Sequence, residues 1–107
     1  MSRILVAHVA DIAPDSAIQV IVEGQQIGLF NAGGTIYALD NVCTHQYAEL
    51  HEGYIDASEC SIECPLHGAR FNLQTGRVLC LPATEPAKTY QVEVEGDEVY
   101  IRLEAEG

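Results

Sequence analysis

Basic side chains are scarce in this chain. Five Lys and Arg stand against 16 Asp and Glu in 107 residues, a formal charge of −11. Between Ile4 and Ala69 there is no Lys or Arg, yet nine of the acidic residues lie there. That imbalance argues against nucleic acid or an anionic membrane as partner and favours a basic partner surface. Long apolar runs are missing too: none approaches the roughly 18 residues of a membrane span. The start, Met1-Ser2-Arg3-Ile4-Leu5-Val6, reaches Asp11 too soon for a signal-peptide core and shows no small-residue cleavage site. The expectation is a soluble cytoplasmic protein. Internal repeats, low-complexity tracts and helical periodicity are not detectable. With 48% hydrophobic and 20% charged residues the composition is that of a folded chain rather than a disordered one. Its length fits one domain at roughly 100–200 residues per domain, enough to bury roughly 60–70% of the unfolded surface.

What is present is a series of short β-rich runs between turn signals. Ala17 to Val22 reads as a strand, turned by Glu23-Gly24-Gln25, and Gln26 to Ala32 as a second. Gly33-Gly34 is a hairpin signal, and Thr35 to Leu39 returns as a third strand. At the C-terminal end Tyr90, Val92 and Val94 alternate with polar residues. Gly96-Asp97 turns the chain, and Val99, Ile101 and Leu103 alternate in the same way. Period two with one apolar face predicts a half-buried antiparallel pair. Arg3 to Val6 reads as an edge strand, and Ile12-Ala13-Pro14-Asp15 ends regular structure there. The fold expected is all-β: an antiparallel sandwich or barrel base formed by 1–39 and 85–107. It would carry a loop-rich subdomain at about 40–84, in which Tyr54–Asp56, Ser61–Glu63 and Arg77–Leu81 read as short strands.

That middle segment holds all four cysteines, Cys43, Cys60, Cys64 and Cys80, and three of the four histidines, His45, His51 and His67. A reducing compartment disfavours disulfides, so clustered Cys and His point to metal or catalysis. Two motifs stand out: Cys43-Thr44-His45, and Cys64-Pro65-Leu66-His67-Gly68, with 18 residues between His45 and Cys64. Each offers one thiolate and one imidazole, so two loops can converge on one site. Zinc takes Cys₂His₂ tetrahedrally; a two-iron cluster takes two Cys on one iron and two His on the other. Pairing alone does not separate the two. A zinc finger, however, would place its histidines together on a helix, and here each loop brings one of each. Cys60 reads as a buried or half-exposed free thiol, Cys80 as core, and His8 and His51 as surface residues.

Cys-x-His followed by Cys-Pro-x-His-Gly resembles the Rieske iron–sulfur signature. The chain as a whole is similar to the small Rieske-type ferredoxins of bacterial aromatic ring-hydroxylating dioxygenase systems. The likeness takes in Ile36-Tyr37-Ala38-Leu39-Asp40, Leu50 to Gly53, Phe71 to Gly76, Leu81-Pro82-Ala83 and Val94 to Val99. It implies an all-β base with a [2Fe–2S] cluster at the tip, Cys43 and Cys64 on the inner iron and His45 and His67 on the outer. Two ferric irons, two sulfides and two thiolates sum to zero charge when both histidines are neutral, which raises the potential above that of all-cysteine clusters. Asn72 stands where the family commonly has Asp, which puts a local turn contact in question. Gln46, Tyr47 and His51 also depart from the usual residues.

The resemblance also implies a subfamily. High-potential Rieske proteins of respiratory complexes carry an extra cysteine in each loop and place Ser and Tyr hydroxyls near the cluster. Here Tyr47, Ala48, Glu49 and Leu66 supply no such cysteine, and Ala69 and Phe71 occupy the hydroxyl positions. The implied function is a soluble, low-potential, monomeric one-electron carrier. It would pass electrons from an NADH-dependent, flavin-containing ferredoxin reductase to a terminal oxygenase. It would not be an enzyme in its own right, because no nucleophile with a nearby base can be identified. The competing readings are a small Rieske subunit of a nitrite reductase type assembly and a zinc-binding interaction module. Glu49, Glu52, Asp56, Glu59 and Glu63 form a candidate docking rim.

Overall fold

Runs of Val, Ile, Leu and Tyr alternating with polar residues favour extended backbone, and strands dominate the chain. The computed structural model describes residues 3–43, 48–66, 68–80 and 85–102. Its strands are β1 (Arg3–His8), β2 (Ala17–Val22), β3 (Gln25–Ala32), β4 (Thr35–Asp40), β5 (Tyr54–Asp56), β6 (Ser61–Glu63), β7 (Arg70–Asn72), β8 (Val78–Cys80), β9 (Thr89–Glu95) and β10 (Glu98–Arg102). All pairings are antiparallel. Six strands form one sheet in the order β1-β10-β9-β4-β3-β2, and four form a second in the order β5-β6-β7-β8. The edges of the larger sheet, β1 and β2, line one shallow cleft through Ile4–Val6 and Val20–Glu23. The sheet therefore curls nearly into a barrel.

Strands β3 and β4 are the wall between two cores. Along β3, Ile27 and Leu29 point into a core with Ile36, Ala38, Val99 and Ile101. The alternate residues Phe30 and Ala32 point into another, with Leu39, Leu50, Ile62 and Phe71. This two-sided burial explains why β3 reads as a nearly continuous apolar run rather than an alternating one. Each large apolar side chain taken fully out of water contributes roughly 1.5–3 kcal/mol, so neither core is dispensable in a chain this short. Gly33 and Gly34, at φ 62° and 99°, make the tight β3–β4 turn that sets the Ala32↔Thr35 register.

The all-β antiparallel expectation holds, with local differences. β1 continues to His8, and β8 is seen over Val78–Cys80 rather than Arg77–Leu81, Leu81 lying outside the described residues. β7 was not legible because three residues between Ala69 and the Leu73-Gln74-Thr75-Gly76 turn are too few to show alternation. Short 3₁₀ turns at Val9–Asp11 and Leu50–Glu52 were likewise unanticipated. Val94 was assigned to the apolar face of the last hairpin. It is exposed instead, next to the Gly96-Asp97 turn, although its cross-strand partner Val99 is buried.

The exit from β4 into the middle segment is pinned from both sides. The Asp40 N–H donates to the Lys88 C=O at 2.9 Å. Its carboxylate accepts the Tyr90 hydroxyl at 2.6 Å. Burial, followed by that bond, pushes the Tyr90 hydroxyl pKa up, so it remains a donor.

Candidate metal centre

Two loops leave the second core, and each begins with a cysteine. In the first, the Cys43 N–H donates to the Ala48 C=O at 2.9 Å; in the second, the Cys64 N–H donates to the Ala69 C=O at 2.7 Å. Both loops thus close on an alanine five residues along. The Gly68 N–H adds a bond to the Cys64 C=O at 3.2 Å, with Gly68 at a left-handed φ of 75°. Both closing alanines are buried, as the crowded base of each loop requires. Cys43 is 3% exposed and Cys64 1%, and they share one core with Phe30, Leu39, Leu50, Ile62 and Phe71. They are not joined by a disulfide.

The donor chemistry fits an iron–sulfur centre. A thiolate buried among apolar side chains is expensive unless a cation compensates it. The buried residues packed with these two cysteines include Phe30, Leu39, Leu50, Ile62, Phe71 and Leu73. Two such thiols in one apolar core are suited to holding a metal, whose positive charge offsets the thiolates. His45 and His67 lie outside the described residues, as do Thr44, Gln46 and Tyr47. The next residue in the second loop on the near side, Leu66, is 71% exposed, so that loop turns its apex to solvent.

The remaining cysteines and histidines fall elsewhere. Cys60 is half-buried at a positive φ of 55° at the far end of β6 from Cys64. Four residues of extended chain put roughly 13 Å between their α-carbons, too far for one metal. A hydrogen bond to Cys60 is the main cause raising the Tyr37 hydroxyl pKa. Cys80 ends β8, and its side chain lies outside what is described. His8 sits on the exposed face of the base beside Asp11.

His51 departs from the surface reading. Its side chain is only 21% exposed, and its Nδ1 lies 2.8 Å from Asn41 Nδ2. Asn41 Oδ1 accepts the His51 backbone N–H at 2.8 Å, so the amide nitrogen must face the ring. The ring therefore accepts at Nδ1 and carries its proton on Nε2. His51 Nδ1 is thus tied to Asn41 rather than free for the Glu49–His51–Glu52 group, whose donor atoms lie within 4.8 Å of one another. The Nδ1 lone pair is already engaged by the Asn41 amide, and Nε2 carries the proton.

The acidic rim is partly neutralised. Arg70 reaches Glu59 at 3.1 Å and Glu63 at 3.6 Å. Asp56 Oδ1 accepts the Ser58 hydroxyl at 2.6 Å and the N–H groups of Ser58 and Glu59 at 3.0 and 3.2 Å. Chiefly through the Ser58 hydroxyl, this holds the Asp56 carboxyl below the usual carboxylate range. The turn contact questioned at Asn72 is made: its Oδ1 accepts the Gln74 and Thr75 N–H groups at 2.8 and 2.9 Å. The neutral amide does what a carboxylate would do there. Sequence reasoning missed Asn41, Gly53 and Arg70, whose importance lies in contacts across the fold.

Comparison with known proteins agrees with this geometry. A profile of the Rieske [2Fe–2S] domain matches residues 2–91. The 3-phenylpropionate/cinnamic acid dioxygenase ferredoxin subunit of Escherichia coli (strain K12) is 45% identical over 103 residues, 96% of this chain and 95% of that protein. The ferredoxin of carbazole 1,9a-dioxygenase from Nocardioides aromaticivorans IC177 superposes with a TM-score of 0.89 at 33% identity, covering 94% of this chain and 97% of that one. A ferredoxin solved in complex with the oxygenase of carbazole 1,9a-dioxygenase superposes at 0.84 with 34% identity, over 92% of this chain and 100% of that one. With two buried cysteine loops closed alike on one core, a β base beneath them and a family profile spanning most of its length, the chain belongs to the Rieske [2Fe–2S] domain family.

Proposed function

We propose that this protein is a one-electron carrier. It would take electrons from an NADH-dependent, flavin-containing ferredoxin reductase and deliver them to a terminal ring-hydroxylating oxygenase. The observation that carries this is the pair of loops, each closed from its cysteine N–H to the alanine five residues on, with both sulfurs in one apolar core. The cofactor is a Rieske-type [2Fe–2S] cluster, which supplies a reversible one-electron couple when bound. Cys43 and Cys64 would hold the inner iron, and His45 and His67 the outer one. The names of the relatives support the carrier role: ferredoxin subunits, one solved with its oxygenase.

The protein's own residues have three tasks. The N–H groups of Cys43, Cys64 and Gly68 are engaged in closing the loops, which holds the two cysteines in place. Phe30, Ile62, Phe71 and Leu73 keep water from the sulfur side. Ala69 and Phe71 put no hydroxyl beside the cluster loops, which keeps the potential near the low end of the Rieske range, roughly −150 mV. The face opposite the core, where Leu66 is exposed, is the side a partner can approach.

The test is chemical. The purified protein should be red-brown, with two irons and two acid-labile sulfides per chain, and should give a Rieske-type electron paramagnetic resonance signal when reduced. It should be reduced by NADH through a flavin reductase and reoxidised by a ring-hydroxylating oxygenase. A colourless protein containing zinc overturns the reading. Stoichiometric co-purification with a nitrite reductase large subunit would replace the diffusing carrier with a fixed subunit. His45→Cys or His67→Cys should lower the potential or lose the cluster, since each adds negative charge at the outer iron.

A further inference from the structure

The two cysteine loops are alike in closure but not in support. Loop 64–69 rises from a regular hairpin, with β6 and β7 paired beneath it at Ser61↔Asn72, Ile62↔Phe71 and Glu63↔Arg70. Among the described residues, loop 43–48 has below it no strand pair but the isolated bridge Val42↔Glu49 and the Leu50 N–H bond to the Asn41 C=O, after which the chain enters the Leu50–Glu52 turn. Asn41, wholly buried, stands where the rest of the stem would be.

Three bonds from Asn41 hold the far side of the loop. Its C=O accepts the Leu50 N–H at 2.6 Å. Its Oδ1 accepts the His51 N–H at 2.8 Å, and its Nδ2 donates to His51 Nδ1 at 2.8 Å. Two more bonds hold the base. The Asn41 N–H donates to the Gln26 C=O at 2.9 Å, and Nδ2 donates to Gln19 Oε1 at 2.7 Å. Both amide hydrogens, the side-chain oxygen and both backbone groups are thereby engaged, so the orientation of the amide is over-determined.

A second feature of the fold makes room for it. Gly28, in the middle of β3, faces Asn41. A β-carbon there would lie 2.8 Å from Asn41 Oδ1 and 2.6 Å from the Phe30 ring. The wall strand is cut back to hydrogen at the point where the amide is seated, and Phe30 belongs to the same core as Cys43 and Cys64.

We infer that Asn41 is a positioning residue for the cluster: it replaces the missing hairpin stem of loop 43–48 and so sets how that loop presents its ligands against loop 64–69. The inference rests on the ligand reading proposed above. Stability alone does not need a buried amide, since an ordinary ladder supports the second loop. What the amide adds is a rigid link from both ends of the first loop to β2 and β3. Residues that orient metal ligands without touching the metal affect its retention and its electronic properties.

The experiment uses holoprotein and three lesions. Gln19→Leu removes the base anchor of the amide. Gly28→Ala pushes on Oδ1 and on the Phe30 ring, so Gln19→Leu is the lesion specific to the amide. Val99→Ala, in the other core, serves as a control that destabilises without touching the loop. Each variant is examined for melting temperature, electron paramagnetic resonance g-values, midpoint potential and iron loss to a chelator. The first two should shift the g-values and the potential and hold iron roughly 10–100-fold less well, whereas Val99→Ala melts earlier with wild-type g-values and potential. If Gln19→Leu and Gly28→Ala only melt earlier, with spectrum and potential unchanged, Asn41 is a structural residue and the inference is wrong. A wild-type protein without a Rieske signal overturns the ligand reading itself, and the inference falls with it.

Discussion

Gly53→Ala is the most exacting test of how the cluster segment is packed. Gly53 ends the Leu50–Glu52 turn at φ −87°, ψ −158°, a conformation open to any residue, so backbone strain is not at issue. The obstacle is the neighbouring strand. A β-carbon on Gly53 would stand 1.9 Å from the carbonyl oxygen of Glu63, where ordinary contact begins at 3.4 Å. About 1.5 Å must therefore open between them. Glu63 cannot yield freely, because it is paired with Tyr54 on one side and Arg70 on the other. The next residue is Cys64, so the displacement reaches the second cysteine loop. Overpacking of this kind costs roughly 1–3 kcal/mol. At roughly 4–8 °C per kcal/mol for a domain near this size, the melting temperature should drop by roughly 5–20 °C. The visible circular dichroism of the cluster should change with it. Gly96→Ala separates the two effects: its β-carbon meets nothing within 4 Å, but φ is +61°. It should cost roughly 1–2 kcal/mol from the left-handed conformation alone and leave the cluster spectrum untouched. Gly53→Ala with a wild-type melting temperature and spectrum would refute the packing described here.

Ala69→Ser and Phe71→Tyr should each raise the reduction potential if the new hydroxyl reaches a cluster sulfur, because hydrogen bonds there favour the reduced, more negative state. One charge-assisted bond of roughly 1.5–3 kcal/mol is worth at most about 65–130 mV at about 59 mV per tenfold change for one electron; voltammetry decides it, and a double variant with an intact cluster and an unchanged potential counts against the idea. Electron transfer to the partners should slow as salt rises above physiological strength, where the Debye length falls below roughly 8 Å. Because Arg70 already neutralises part of the rim, Arg70→Gln should steepen that dependence in stopped-flow measurements, and an unchanged slope would place docking on an apolar contact instead. Glu93, bonded to Arg102 and Arg3, has its carboxyl held below the usual glutamate range, chiefly by Arg102. Its contribution is therefore complete above the unfolded pKa and lost as pH falls through the lower folded value. Urea midpoints measured from neutral to acid pH should fall less steeply for Glu93→Gln than for the wild type.

Much of this protein was decided at the level of sequence, because the signals involved are local. Alternation at Val99, Ile101 and their neighbours, and glycines that accept left-handed backbone at Gly33-Gly34, specify hairpins without reference to the rest of the chain. Likewise Cys43-Thr44-His45 and Cys64-Pro65-Leu66-His67-Gly68 carry their ligand types within three to five residues. Nothing local distinguishes what only the tertiary structure decided. Asn41 looks like any polar residue before a loop until folding places Gln19, Gln26, Leu50 and His51 around it. His51 reads as a surface residue until that amide faces its ring. Gly53 looks like a turn glycine, yet what it avoids is a carbonyl ten residues further along. Arg70 looks like an isolated cation, and folding brings it to two members of the acidic rim. Burial, tautomer and steric exclusion depend on which distant atoms arrive at a residue, and that is fixed only when the two sheets close on their cores.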